Sequence, residues 1–153
     1  FHASPSLYSH HVPERLLLGP AYLPLRQAFW QLPERRVAPE MGRILFSFGG
    51  QDRAGLAAAL VPAAHRLFPT AALRLIASAN HDAALLESLR AATAGQLHVL
   101  EKLAGHQVAD ELTAADALLC AAGQTLMEAL AARLPFVALT VASNQAAGAA
   151  AIS

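Results

Sequence analysis

Residues 116–145, DALLCAAGQTLMEALAARLPFVALTVASNQ, decide the fold class of this chain. An apolar segment leads through a glycine turn into an alanine-rich helical segment, and a second apolar segment then ends in a polar loop. That order predicts a strand, a helix and a second strand. Ligands of α/β sheets bind at the loops that follow the strands, so we expect any substrate to contact this stretch.

The same alternation extends through the chain in front of this stretch. Strands are predicted at residues 43–48, 72–77 and 96–100, and helices at 53–68, 82–92 and 107–115. Strands that alternate with helices of about ten to fifteen residues favour a parallel sheet that is covered on both faces. We therefore predict an α/β fold, a Rossmann-like doubly wound parallel sheet.

Prolines and aromatic residues add detail to this assignment. Pro62 should kink or divide the helix at 53–68, because proline removes a backbone donor and clashes with the preceding turn. Residues 33–42 are proline-rich and charged, which is typical of a connector. Helical spacing relates four earlier residues: Tyr22, Leu25, Arg26 and Phe29. We expect these four to form one short helix that packs its aromatic face on the domain.

Composition excludes several classes of protein. A chain of 153 residues is about one domain, and its 11 basic and 11 acidic residues cancel, which speaks against nucleic acid or acidic membrane as a partner. No apolar run reaches the roughly 20 residues of a membrane span. Cys120, the one cysteine, cannot form an intrachain disulfide and predicts a small buried hydrophobe in a reducing compartment. We expect a soluble cytoplasmic protein with no cofactor.

The two ends of the chain set the expected domain boundaries. Residues 1–15 show no clear period, and their histidines lack metal-site spacing, so we expect a linker or the remnant of an inter-domain segment. Residues 16–153 form the domain. The chain begins at Phe1 and stops soon after a polar loop, which suggests a piece of a longer protein.

Two loops that follow predicted strands are candidates for binding an anion such as a diphosphate. The first contains Gly49 and Gly50, followed by Asp52 as a helix cap, and the second contains Gly123, Gln124 and Thr125. Both precede helices, whose first amides and dipole attract negative charge. Neither loop has the lysine of a P-loop or the G-x-G-x-x-G pattern of dinucleotide binding.

Polar residues beyond these loops have two interpretations. Thr125 and Glu128 have the T-x-x-E spacing of a capping box, which the spacing alone favours. The alternative is that the Glu128 carboxylate accepts hydrogen bonds from the two hydroxyls of a ribose. Asn144 and Gln145 are typical of loops, but a pair of amides at the mouth of the same site also suits the hydroxyl or N-acyl groups of a sugar.

Three blocks of sequence carry a resemblance to a known family. They are GPAYLPLRQAF at 19–29, SFGGQD at 47–52, and residues 121–145. In this order and separation they resemble the C-terminal half of the UDP-sugar hydrolases of pseudaminic acid biosynthesis, which share the GT-B architecture of the peptidoglycan glycosyltransferase MurG. The resemblance covers nearly all of the chain from Leu16 onward. It departs from the family pattern at Gln51, Ala122, Gln124 and Ser143.

The resemblance implies a site for a UDP-sugar. Gly49 and Gly50 would approach the ligand from one loop. Gly123, Gln124 and Thr125 would hold the diphosphate, Glu128 the ribose, and Asn144 with Gln145 the sugar. Alternatives that stay open are a GT-B glycosyltransferase domain and a non-catalytic module that binds a nucleotide-sugar.

In this family an N-terminal domain closes over the sugar, and a histidine in its G-x-G-H segment acts as the base. No G-x-G-H occurs in these residues, and His81, His98 and His106 lack its context, so we expect them at the surface or partly buried. The resemblance therefore implies no catalytic residue in this chain and an N-terminal GT-B domain as its partner. We expect the chain alone to bind without turnover.

Overall fold

The computed structural model describes residue 22, residues 24–52 and residues 54–150, with the side chains at positions 144, 147 and 148 excepted. The linker expected at 1–15 lies outside these residues. Within the described part the strands are β1 Arg43–Ser47, β2 Ala72–Ile76, β3 Leu97–Leu100, β4 Ala117–Ala121 and β5 Phe136–Leu139. The helices are α1 Leu56–Leu67, α2 Ala83–Ala92, α3 Gly105–Ala114, α4 Gln124–Ala131 and α5 Ser143–Ala150.

All five strands are parallel and lie in the order β3-β2-β1-β4-β5. The chain proceeds from β1 to one edge of the sheet and then returns to the other side of β1 for β4 and β5. This arrangement confirms the predicted doubly wound α/β fold. It also makes neighbours of β1 and β4, the two strands whose following loops lead to opposite faces, which is the usual ligand position in such sheets.

Two separate apolar layers cover the sheet, and alternate residues of β1 contribute to each. Ile44 and Phe46 pack into the layer that contains α1 and α2 residues. Leu45 packs into the other layer, with α3 and α4 residues. Successive side chains of a strand point to opposite faces, so the uninterrupted apolar sequence of β1 reflects burial on both sides.

Helix α1 begins three residues later than the sequence predicts, at Leu56. The Asp52 carboxylate nevertheless caps it, because its oxygens accept the Leu56 and Ala57 amides at 2.8 Å each. Pro62 lies within α1 without dividing it. The missing proline donor removes one hydrogen bond, and burial of Val61 and Ala64 on either side keeps this turn on the sheet.

The helix predicted from the spacing of residues 22–29 is wrong. Within residues 24–29, Gln27–Phe29 forms a turn of 3-10 helix, and Arg26 before it is extended, with φ −58° and ψ 145°. Pro24 offers no amide for a longer helix. Phe29 is buried as expected, whereas Tyr22 is 56% exposed.

Residues 24–35, here called the strap, lie against α3 and α4. At its end Arg35 donates to main-chain carbonyls of residues 112, 113, 115 and 132, where α3 and α4 end. Burial lowers the pKa of the Arg35 guanidinium, and the nearby Asp116 carboxylate opposes that change. The connector predicted at 33–42 therefore contains a structural anchor.

Cys120 on β4 is fully buried, as its apolar surroundings predict. Burial raises the pKa of its thiol to about 12. The thiolate is the reactive form, so we expect native protein at pH 8 to resist an aromatic disulfide reagent that labels the urea-unfolded chain within minutes. Rapid stoichiometric labelling of the folded protein would contradict this burial.

Within the described residues, none of the helices has the length and hydrophobicity that crossing a membrane requires.

Candidate functional site

A cavity of about 710 Å³ lies at the carboxyl ends of β1 and β4. Both predicted loops line it, together with the loop after β5, and Arg26 of the strap lines it as well. We call this cavity the crevice. It lies between β1 and β4, where sheets of this strand order usually bind their ligands. Its walls come from segments about a hundred residues apart in sequence.

The loop after β1 presents main chain to the crevice. Gly49 has φ +82°, a conformation that side chains disfavour, and a Cβ added at Gly49 or Gly50 would meet no atom within 4 Å. Both glycines line the crevice. Their lack of side chains therefore leaves room for a ligand to approach the backbone, as the sequence predicts.

The loop after β4 gives the crevice a helix N-terminus. Helix α4 begins at Gln124 with Gly123 as its N-cap, and no side chain caps it. Among the described residues, the amides of Gln124 and Thr125 have no hydrogen-bond acceptor. These amides and the positive end of the helix dipole favour an anionic group at this position.

The capping box predicted from Thr125 and Glu128 does not form. Because α4 begins at Gln124, Thr125 is its second residue and Glu128 lies one turn further in. The Thr125 hydroxyl instead lies 3.3 Å from the Ser47 hydroxyl at the end of β1. The turn at Gly123 starts the helix earlier than the T-x-x-E spacing indicates, so that interpretation of Glu128 is wrong.

Glu128 is held in the crevice wall by a partner from the strap. Its side chain is 2% exposed, and Oε1 and Oε2 accept hydrogen bonds from Arg26 Nε and Nη2 at 2.7 and 2.9 Å. The guanidinium also lies over the Phe29 ring, 5.4 Å from its centre. This two-bond geometry fixes the carboxylate, and each oxygen retains a lone pair for a further donor.

The sequence places Arg26 in the predicted short helix and indicates no role for it in the site. The available signal was a single charged residue on what looked like an apolar helix face, inside the first block that resembles the hydrolases. Its partner is 102 positions away, so no local pattern could have revealed the pair.

The remaining predicted side chains fall in different places. The Gln124 side chain donates to the Pro24 carbonyl of the strap at 3.1 Å, which directs it away from a phosphate role. Gln145 lines the crevice, and its Oε1 accepts from the Val141 amide at 3.0 Å. Its Nε2 lies 4.0 Å from where a Gly123 Cβ would be. Asn144 is the second residue of α5, and its side chain is outside the described residues.

One histidine contradicts the expectation that all three lie at the surface or are partly buried. His98 and His106 are exposed, but the His81 side chain is 1% exposed and its Nε2 lies 3.2 Å from Asp52 Oδ2. His81 Nδ1 accepts the Ser78 amide at 3.2 Å. Sequence reasoning missed this pair because Asp52 and His81 follow different strands, and only the parallel pairing of β1 with β2 joins them.

Charge in the crevice is balanced rather than basic. Among the described lining residues Arg26 is the one cation, and it is paired with Glu128, while Asp52 is paired with His81. No group of three or more histidine, cysteine, aspartate or glutamate residues in the described part could hold a metal ion. An anion in the crevice would thus depend mainly on main-chain amides and the α4 dipole.

No protein-family model matches the chain, and no curated protein is significantly similar to it. The class that fold and site define is a doubly wound α/β domain with a crevice at its topological switch point.

Proposed function

We propose that this domain binds a nucleotide-sugar, a UDP-sugar in the first instance, in the crevice between the loops after β1 and β4. In this proposal it is the nucleotide-binding half of a GT-B-type enzyme, a hydrolase that releases UDP from a diacetamido-trideoxy sugar in pseudaminic acid or surface polysaccharide biosynthesis. A glycosyltransferase of the same architecture is the alternative. An N-terminal domain would close over the sugar and supply the base.

The observation that carries the proposal is the position of Glu128. Its buried carboxylate lies in the crevice wall, about 6 Å along the α4 axis from Gln124. Gln124 is at the N-terminus of α4, where the two amides without an acceptor among the described residues lie. A nucleoside diphosphate has two ribose hydroxyls, which donate, close to phosphates, which accept. The carboxylate and the helix N-terminus offer the complementary groups in the same order.

The other lining groups are consistent with this ligand. Gly49 and Gly50 leave space in the crevice, and Gln145 also lines it. Released UDP would be stabilised by the α4 amides, since they face the negative charge that develops on the leaving group.

A non-catalytic binding module is the second candidate, and one observation favours it for the chain by itself. Among the described residues that line the crevice there is no histidine, and both carboxylates already accept hydrogen bonds. A general base must be within hydrogen-bond reach of the attacking water. We therefore expect binding of UDP without hydrolysis of a UDP-sugar by this chain alone.

Calorimetric titration with UDP tests the proposal, and Gly50→Leu sharpens it. We expect wild type to bind UDP with a Kd as weak as about 1 mM, since a half-site forgoes the partner domain's contacts. Gly50 lines the crevice and no atom surrounds its Cβ position, so a leucine there should fold normally and weaken UDP at least about tenfold.

Ala91→Leu is the matched control. Ala91 is exposed and lies near the end of α2. Helix α2 leads to the amino end of β3, whereas the crevice lies at the carboxyl ends of the strands. Both variants introduce a leucine side chain, and only Gly50→Leu should lose affinity. Absence of UDP binding by the folded wild-type protein would refute the proposed function.

A further inference from the structure

The loop after β1 is held from behind by a turn at residues 78–81. The Ala79 amide of this turn donates to the Gly50 carbonyl at 3.1 Å. The same turn carries His81, whose Nε2 contacts the Asp52 carboxylate. Both ends of the segment 50–52 in the crevice wall are therefore fixed to one turn.

The hydrogen bonds of His81 define its protonation state. A main-chain amide can only donate, so Nδ1, which receives the Ser78 amide, must be unprotonated. The one ring proton is then on Nε2 and is donated to Asp52 Oδ2. Asp52 in turn accepts the Leu56 and Ala57 amides that begin α1. This chain of contacts requires a neutral imidazole.

We infer that His81 is a positioning residue for the loop that forms one wall of the crevice, and that its neutral form is the one that holds the loop. A second proton on the ring would place an N–H at Nδ1 against the N–H of Ser78. The turn at 78–81 would then have to move, and the Gly50 carbonyl and the Asp52 carboxylate are both attached to it. Protonation of His81 at low pH would therefore change the geometry of the loop after β1.

Within the described part of the chain, two aspartates flank His81. Asp52 faces Nε2 from the loop before α1, and Asp82, the next residue, caps α2 by accepting the Leu85 amide. The first turn of α1, at 56–59, has no charged side chain. A protonated ring can still donate from Nε2 to Asp52. The contact that protonation breaks is the hydrogen bond from the Ser78 amide to His81 Nδ1.

The expected consequence for ligand binding rests on the proposed function, whereas the consequence for the loop does not. Wild type and His81→Gln are compared in UDP titrations at about pH 8 and pH 5.5, the range over which histidine changes charge. Glutamine can donate to Asp52 and accept from Ser78 at either pH. We expect wild-type affinity to fall about fivefold more than that of His81→Gln, the effect of one lost hydrogen bond. The ionisation of UDP itself is common to both and cancels.

Amide exchange provides a readout that needs no ligand. At equal low pH, the Ala79 and Ala57 amides should exchange faster in wild type than in His81→Gln, and at high pH they should match. Equal exchange and equal pH profiles in the two proteins would overturn the inference. If neither protein binds UDP, the proposed function fails and the exchange result alone decides the role of His81.

If His81→Gln does not fold, the inference can be tested on the wild-type protein alone. In an NMR titration, the Ala79 and Gly50 amide resonances should shift in step with the ring protons of His81. A His81 that titrates while these amides stay still, or that stays neutral down to pH 5.5 while UDP affinity falls, would also overturn the inference.

Discussion

Glu128→Gln is expected to weaken UDP binding by about 10- to 100-fold. The carboxylate would accept the ribose hydroxyls, and a hydrogen bond to a charged group contributes about 1.5–3 kcal/mol. Glutamine keeps the size and one acceptor oxygen, so the loss measures the charge and the second acceptor rather than a cavity. Calorimetric titration with UDP gives the affinity, and urea unfolding gives the stability of the same preparation.

The chain contains a matched control for this variant. Glu111 on α3 forms a two-bond pair with Arg74 of β2, as Glu128 does with Arg26. The hydrogen bond to Glu111 raises the pKa of Arg74, and Glu111 does not line the crevice. Glu111→Gln should cost about 1–2 kcal/mol of unfolding free energy, as Glu128→Gln should, but leave UDP affinity unchanged.

The two variants together separate a ligand contact from a structural one. Equal loss of affinity in both would mean that binding responds only to the stability of the fold. Unchanged affinity in Glu128→Gln, with its stability lowered, would make Glu128 a purely structural partner of Arg26 and remove the ribose assignment from the proposal.

The sheet was predictable because its signal is local. Most residues of the β-strands are apolar, and the strand segments alternate with helical periods, so the number of strands and their parallel orientation followed from the sequence, with strand ends displaced by one or two residues. Burial of β1 on both faces produces the continuous apolar sequence RILFSF. The sequence thus predicts that a ligand binds at the loops after the strands, whereas the strand order that determines the switch point is seen only in the folded sheet.

The side-chain chemistry of the crevice was less predictable. The position of Gly49, Gly50 and Gly123 in the crevice wall could be anticipated, because they follow predicted strands and glycine allows both a tight turn and a close approach to the backbone. The partners of Glu128 and Asp52 could not, since both pairs join segments that only the folded sheet brings together. The capping box predicted from the T-x-x-E spacing is wrong for a related reason. A turn at Gly123 starts α4 two residues earlier than a Thr125 cap would, and the spacing does not indicate that turn.

Arg35 is the other long-range feature, and it has the second large expected effect. Arg35→Ala should lower the free energy of unfolding by about 2–4 kcal/mol. The guanidinium donates to four carbonyls at the ends of α3 and α4, including Ala115 at 2.7 Å and Ala132 at 2.9 Å. Charged donors strengthen such bonds, and a cation at a helix C-terminus is also favoured by the dipole. Because Arg35 is half-buried, water replaces only part of what is lost.

Two further variants make the test of Arg35 specific. Arg35→Lys keeps the charge but lacks the planar fork that reaches several carbonyls at once, so it should recover less than half of the lost stability. Arg36→Ala removes an exposed neighbouring arginine and should change stability by no more than about 0.5 kcal/mol. Urea unfolding measures all three. A full recovery by lysine would show that charge alone anchors the strap, and an equal loss in Arg35→Ala and Arg36→Ala would show that the four carbonyl contacts contribute nothing to stability.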